Sequence, residues 1–198
     1  MATERGDDPY NHSYLNWANE VYKPTYITQH TLNLTGGSEV GRYLVSFDYL
    51  DQPGLVKNTE YQRYSYRVNT DLNIGKMLKV SSDVTYRHVD RLWPESLGSV
   101  QYDVWSMQPT SPVRYENGDY RLDKQNRNAI SLMDLDVVGE DRYNMDVVYG
   151  QVKADFEPIK DLVFTGMASL NGSWDRRKIH YKNYKYYNEA GELVTQRN

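Results

Sequence analysis

The chain has 198 residues, a net charge of −4 and a sequence pI of about 5.6, which argues against general binding to nucleic acid or to an anionic membrane surface. It contains no cysteine, so disulfides and thiolate metal sites are excluded. Nineteen tyrosines stand against three phenylalanines, and tyrosine suits interfaces where one end of the side chain is apolar and the other is wet.

The first 26 residues are predicted to form a polar segment with one short helix. Tyr14, Trp17 and Val21 recur at helical spacing, and Pro24 follows them. An irregular loop with buried aromatic residues is the alternative. Residues 1–13 lack the basic and apolar regions of a signal peptide. If the protein is exported, this chain is therefore expected to be a piece of a longer one.

Between residues 27 and 174 the sequence alternates apolar and polar residues, which is the pattern of β-strands. The predicted strands are 27–35, 42–50, 60–74, 77–89, 148–156 and 162–174. Residues 64–74 alone would rise about 33–36 Å at about 3.3 Å per residue. Tilted by about 40°, they would span about 25–28 Å, close to the apolar band of an outer-membrane barrel. A long soluble sheet with one packed face is the alternative.

Each predicted strand has one apolar and one polar face. The apolar face is expected to contact lipid and contains Tyr43, Val45, Phe47, Tyr64, Tyr66, Val68, Leu72, Val80, Val84 and Tyr86. The polar face is expected to point into a lumen and contains Arg63, Arg67, Asp71, Lys79, Asp83 and Arg87. These charged residues would line a substrate path or hold a plug. Cross-strand ion pairs within the wall, worth about 0.2–1 kcal/mol each, are the favoured interpretation for most of them.

The connections between the strands alternate between short and long, as turns and outer loops do in a transmembrane barrel. The long ones are 51–59, 90–142 and the region 175–198, which is predicted to start an extracellular loop or strand. Apolar-face aromatics gather at the long-loop ends, where an aromatic girdle would lie. They are Tyr49, Tyr64, Tyr66, Tyr86 and Trp174. The predicted fold class is therefore all-β, an antiparallel up-and-down meander of about six strands forming a partial transmembrane β-barrel.

The long loop 90–142 shows little periodicity, and a loop of this length is usually functional. Its aromatic residues are candidate contacts for a substrate or a partner. They are Trp93, Tyr102, Trp105, Tyr115 and Tyr120. Packing of the same side chains onto the barrel rim is the alternative. A short helix or hairpin is expected inside the loop, for example over 129–135.

No motif predicts an enzyme, a metal site or a cofactor site. A sequence resembling the start of a calcium loop at Asp134 fails at Val138 and at Met145, where ligands are needed. The four histidines lack the spacing of metal ligands. The chain also lacks a nucleophile elbow and a phosphate-binding loop. We therefore expect no catalytic residue, no metal and no cofactor.

Several short motifs occur in a fixed order between residues 16 and 87. They are Asn16-Trp17, Gly36-Gly37-Ser38-Glu39, Arg42-Tyr43, Asp48-Tyr49-Leu50-Asp51-Gln52, Arg63-Tyr64-Ser65, Arg67-Val68-Asn69 and Leu78-Lys79-Val80. This series resembles the SusC/RagA-type TonB-dependent transporters of Bacteroidetes.

The resemblance implies a barrel of about 22 strands with an internal plug. It also implies outer-membrane lipid, a SusD-like lipoprotein and the TonB complex as partners, with glycan or peptide as substrate and no nucleic acid. The sequence shows no plug, no TonB box and about six strands. The expected function is therefore that of a barrel segment of an importer, without transport activity alone. A soluble β-sheet module that binds carbohydrate or protein is the alternative.

Overall fold

The structure is a computed structural model, which describes residues 14–125, 127–188 and 190–196. Six antiparallel strands form one sheet in chain order, and the predicted meander is confirmed. The strands are β1 (Thr28–Gly37), β2 (Gly41–Asp51), β3 (Glu60–Ile74), β4 (Leu78–Pro94), β5 (Gly139–Ile159) and β6 (Leu162–Tyr181). A separate pair follows, β7 (Lys185–Tyr187) with β8 (Leu193–Gln196).

The register of the sheet brings like faces of neighbouring strands together. Val68 of β3 lies opposite Val45 of β2 and Val84 of β4, and on the other face Asn69 lies opposite Leu44 and Asp83. Because side chains alternate along a strand, this register keeps the whole apolar set on one side.

Three strands are longer than their alternating sequences suggest. β4 continues to Pro94, β5 starts at Gly139 and β6 continues to Tyr181. The extensions carry charged residues on both faces, so they lack the alternation that identifies a strand. The connection expected over 90–142 is therefore reduced to residues 95–138, and the region expected to begin at 175 opens with seven further residues of β6, 175–181.

Short helices lie outside the sheet. Helix α1 (Trp17–Val21) falls within the predicted N-terminal segment, and its first turn is capped by Asn16, whose side chain accepts from the Asn19 N–H at 3.3 Å. Helix α2 (Leu97–Ser106) was not predicted, and a 3₁₀ helix (Ser131–Met133) falls inside the expected 129–135 segment. In the part of the chain that the structure describes, no helix is long and apolar enough to cross a membrane. The prediction for residues 1–13 lies outside the described residues.

The main hydrophobic core lies among the loops and not on the sheet. Its buried members come from α1, α2 and the long loop: Trp17, Val21, Val100, Val104, Met107, Ala129 and Met133. A smaller cluster joins Tyr120 and Leu122 to Tyr186 of β7. We call the part of the molecule formed by the described residues of 14–26, 52–59, 95–138 and 182–196 the loop layer.

Candidate functional site

The candidate functional surface is the sheet itself, whose two faces differ in chemistry. The ten residues predicted to face lipid all lie on one face, as the strand register requires. Most of them are exposed. Val68, in the middle of this face, is 40% exposed although its side chain is apolar. Phe47, Tyr64 and Val80 are half-buried. Contact of this face with lipid stays a prediction.

The apolar face continues beyond the residues predicted from the sequence. On β6, Phe164, Leu170 and Trp174 are exposed on the same side, and on β1, Leu32 and Leu34 pair with the apolar positions of β2. Contiguous exposed apolar surfaces of this extent are rare on monomeric soluble proteins. A face of this kind marks a site of contact with lipid or with a partner surface.

Aromatic rings cross this face in two rows near the ends of the strands that lead into the loop layer. In one row, Tyr49 and Tyr64 have ring centroids 4.9 Å apart, and His30 and His88 flank them. The other row runs from β2 to β4 and consists of Phe47, Tyr66 and Tyr86, with ring-centroid separations of 5.1 and 6.1 Å. Cross-strand aromatic contacts of this kind add to sheet stability.

Asp146 of β5 joins the ends of both aromatic rows. It accepts a hydrogen bond from the Tyr86 hydroxyl at 2.6 Å, and its Oδ1 lies 2.8 Å from His88 Nδ1. The sequence analysis missed this carboxylate, because the strand around it had not been recognised. The alternation of Val148, Gly150 and Val152, extended by one step, would have placed Asp146 on the apolar face.

The opposite face is polar and carries the six residues predicted to point into a lumen. Within the described residues, Arg63 is the one member of this set that forms an ion pair, with Asp48 at 3.0 Å. Asp71 accepts from the Ser81 hydroxyl at 2.6 Å. Cross-strand ion pairing thus accounts for only one of the six residues, and their role in a lumen stays a prediction.

A charged and aromatic cluster lies on the polar face where β4, β5 and β6 extend furthest. Asp141 is buried and accepts two hydrogen bonds from Arg177, at 2.9 and 2.7 Å. Arg91 lies 3.8 Å from the same carboxylate and stacks on the Trp93 ring at 3.8 Å. Trp93, expected in the long loop, is therefore part of β4 and fixed in place by Arg91.

The other loop aromatics divide into exposed and enclosed side chains. Trp105 and Tyr102 on α2 are 77% and 70% exposed, so both are available to a partner. Tyr115 is half-buried. Tyr120 is only 7% exposed and donates to Asp134 at 2.8 Å. Burial and this hydrogen bond raise the pKa of the Tyr120 phenol. Tyr120 is thus a core residue, and its contact with a substrate or partner stays a prediction.

Four chain segments are bonded together in the loop layer. Trp17 Nε1 donates to the Gln108 carbonyl at 3.0 Å, and Asn58 Nδ2 donates to the Met133 carbonyl at 2.8 Å. The Ser131 hydroxyl lies 2.7 Å from the Tyr186 hydroxyl. These bonds connect distant parts of the sequence, so the long loop has a defined conformation. Among the described residues, no group of acidic and histidine side chains could hold a metal ion.

Comparison with known proteins identifies relatives by sequence. No protein-family model matches the chain. TonB-dependent receptor P26 of Formosa agariphila is 30% identical over 115 residues, which cover 58% of this chain and 11% of the receptor. TonB-dependent receptor P3 of the same organism is 34% identical over 68 residues, covering 34% of this chain and 7% of the receptor. The chain therefore spans a small part of the relatives that it matches.

Solved structures share the fold. The RagAB peptide importer in its closed-closed state matches 86% of this chain with a TM-score of 0.67 and 21% identity, over 20% of the solved chain. A structure of the RagAB peptide transporter matches the same shares with a TM-score of 0.69. By sequence the chain is similar to short parts of these TonB-dependent receptors, and its six-stranded sheet has the fold of part of the RagAB importer, as expected for a partial β-barrel.

Proposed function

We propose that the chain forms part of the barrel wall of an outer-membrane importer, with its apolar face in lipid and its polar face toward the lumen. The observation that carries this proposal is the exposed apolar face that continues across all six strands. Only a hydrocarbon environment or a large partner surface makes such a face stable. In this orientation the loop layer lies on the extracellular side.

The dimensions of the strands support the proposal. On β6 the apolar-face residues run from Phe164 to Trp174, a rise of about 33 Å along the strand. At a tilt of about 40° this corresponds to about 25 Å across the membrane, which matches the apolar band of outer-membrane barrels. The strand ends beyond Trp174 are polar and would project above the lipid.

The activity of the whole importer is proposed by analogy with the relatives. They support TonB-energised uptake, with a SusD-like lipoprotein as the partner at the extracellular side. RagAB is a peptide importer, which favours peptides over oligosaccharides as substrate, whereas the names of receptors P26 and P3 specify none. The exposed Trp105 and Tyr102 are the residues of this chain best placed to contact the lipoprotein or the substrate.

A soluble binding module is the less favoured function. It would need its apolar face covered, and in the described part of the chain Val45, Val68 and Val84 are each at least 40% exposed. Its expected behaviour is also different, because a soluble module would be monodisperse in buffer without detergent.

Two arginine substitutions at adjacent positions test the orientation of the wall. Val68→Arg places a charge near mid-membrane and should cost about 2–4 kcal/mol. Asn69→Arg places the same charge on the polar face opposite Asp83 and should be mild. The measurement is the yield of heat-resistant folded protein in outer membranes from cells expressing the complete gene product. Equal losses in the two variants would show that the assignment of the faces is wrong.

A further inference from the structure

Three arginines gather on the polar face of the sheet, and we call them the arginine cluster: Arg63, Arg67 and Arg87. They line an open depression of about 370 Å³ together with Gln29, Asn33 and Asp48. If the polar face lines the lumen, as proposed above, this depression opens into the transport path. The inference that follows rests on that proposed function.

The strand register places the three guanidinium groups close together. Arg67 lies opposite Thr85, and Arg87 lies opposite Ser65, so Arg87 is a diagonal neighbour of both Arg63 and Arg67. Diagonal neighbours on one face are separated by about 7–8 Å, which is within reach of long side chains. Like charges at this spacing repel each other, so the cluster costs stability unless an anion is present.

One carboxylate within the depression is already fully engaged. Asp48 accepts hydrogen bonds from Gln29 at 2.7 Å, from Thr31 at 2.9 Å and from Arg63 at 3.0 Å. Within the described residues, Arg67 and Arg87 are exposed and form no ion pair. The Nε of Arg63 is buried and has no hydrogen-bond partner. Among the described residues that line the depression, three cations therefore stand against one anion. The nearest further carboxylate on this face, Asp83, is a diagonal neighbour of Arg67 and lies outside the depression.

We propose that the arginine cluster is a binding site for a carboxylate group presented in the lumen. Guanidinium groups bind carboxylates through paired, charge-assisted hydrogen bonds, and the bond between Arg63 and Asp48 shows that a carboxylate fits here. The carboxylate has two possible sources, an acidic solute on its way through the lumen or an acidic side chain of the importer's own plug. Neighbouring like charges on a strand are unfavourable, and natural proteins keep such unfavourable placements mainly at functional sites.

The test uses the complete gene product, purified from outer membranes in detergent. The double variant Arg67→Gln/Arg87→Gln removes the two unpaired charges. The control Lys76→Gln/Lys160→Gln removes two charges from exposed turns at the other end of the strands and leaves the depression intact. Two measurements are made on each protein at 0.15 M salt: the thermal unfolding midpoint without solute, and the binding of two peptides of equal length, one rich in glutamate and one rich in glutamine.

A solute site predicts that the glutamate peptide binds the unchanged protein more tightly than the glutamine peptide. The double variant then loses this preference, by about tenfold or more for two charge-assisted contacts, while the control keeps it. A plug site predicts instead that the unfolding midpoint of the double variant falls below that of the control, with no change in peptide preference. An unchanged or raised midpoint together with an unchanged preference overturns the proposal. If neither peptide binds any of the proteins, peptide import loses its support, and the unfolding midpoint still decides on the cluster.

Discussion

Asn128 connects three parts of the long loop through its side-chain amide. It is 2% exposed, and its amide donates to the carbonyls of Val113 and Arg121, both at 2.8 Å. Its Oδ1 accepts from the Ser131 N–H at 3.1 Å. Replacement by alanine removes all three bonds, although the Val113 carbonyl still accepts from the Arg121 N–H at 3.0 Å. At about 1 kcal/mol for each lost bond, Asn128→Ala should destabilise the loop layer by about 3 kcal/mol.

Hydrogen exchange followed by mass spectrometry measures this loss locally. Protected amides in peptides from 95–138 should exchange about 150-fold faster in Asn128→Ala, since about 1.4 kcal/mol corresponds to a factor of ten. Peptides from β3 serve as an internal reference and should not change. Asn128→Asp has nearly the same size but replaces the donor amide with a second acceptor, so it should be as damaging.

The control is Asn117→Ala in an exposed turn of the same loop. Asn117 bonds Asp119 twice, at 2.9 and 3.0 Å, and both residues are exposed. The expected effect is within about 0.5 kcal/mol, as for most surface substitutions. If Asn128→Ala changes exchange in the loop by less than threefold, or if Asn117→Ala has the same effect, the reasoning from buried hydrogen bonds is refuted.

Two further predictions concern the backbone and the pH dependence of the loop layer. Gly139 has a φ of +90°, and a Cβ there would lie 1.9 Å from the His180 carbonyl oxygen. Gly139→Ala should therefore disrupt the start of β5. Gly98 lies in helix α2, and a Cβ there would meet open space, so Gly98→Ala should stabilise the protein by about 0.5–1 kcal/mol. Thermal unfolding of both variants checks the two predictions. Burial raises the pKa of Asp103 above its ordinary 3.8, with Asp123 adding to the effect. Because the folded state favours the protonated carboxyl, the free energy of unfolding should rise as the pH falls through the raised pKa. Asp103→Asn should remove this pH dependence, which unfolding at pH 5 and at pH 7 would measure.

The sheet was predictable because its information is local. Alternation in a strand reports directly which side chains share a face, so the common face of Val45, Val68 and Val84 followed from the positions of apolar residues alone. The register that places them opposite one another was not predicted. The ends of β4, β5 and β6 were not predicted. In the proposed orientation these strand ends lie above the lipid, where both faces would meet water. Alternation would then not be selected, and the sequence around Arg142 resembles a loop.

The loop layer was harder to predict, because its contacts join residues far apart in the chain. The bond from Trp17 to Gln108 spans 91 residues, and no local pattern reports it. Helix α2 did carry a local signal, since Leu97, Val100 and Val104 recur at helical spacing, but the prolines and glycines around it obscured the pattern. Tyr120 shows the remaining difficulty, because a tyrosine that contacts a ligand and a tyrosine whose hydroxyl is satisfied inside a core look the same in sequence.

The positions of the hydrophobic core indicate that the two parts of the molecule are stabilised by different means. The sheet buries few apolar side chains within the described residues, so in the proposed orientation its apolar face would gain stability from the surrounding lipid. The loop layer instead packs Trp17, Val100 and Met133 into a core of its own. A loop with its own core has a fixed shape before any ligand arrives, which lowers the entropic cost of binding. Exposed Trp105 and Tyr102 are then presented on a rigid helix, as a contact surface for a partner requires.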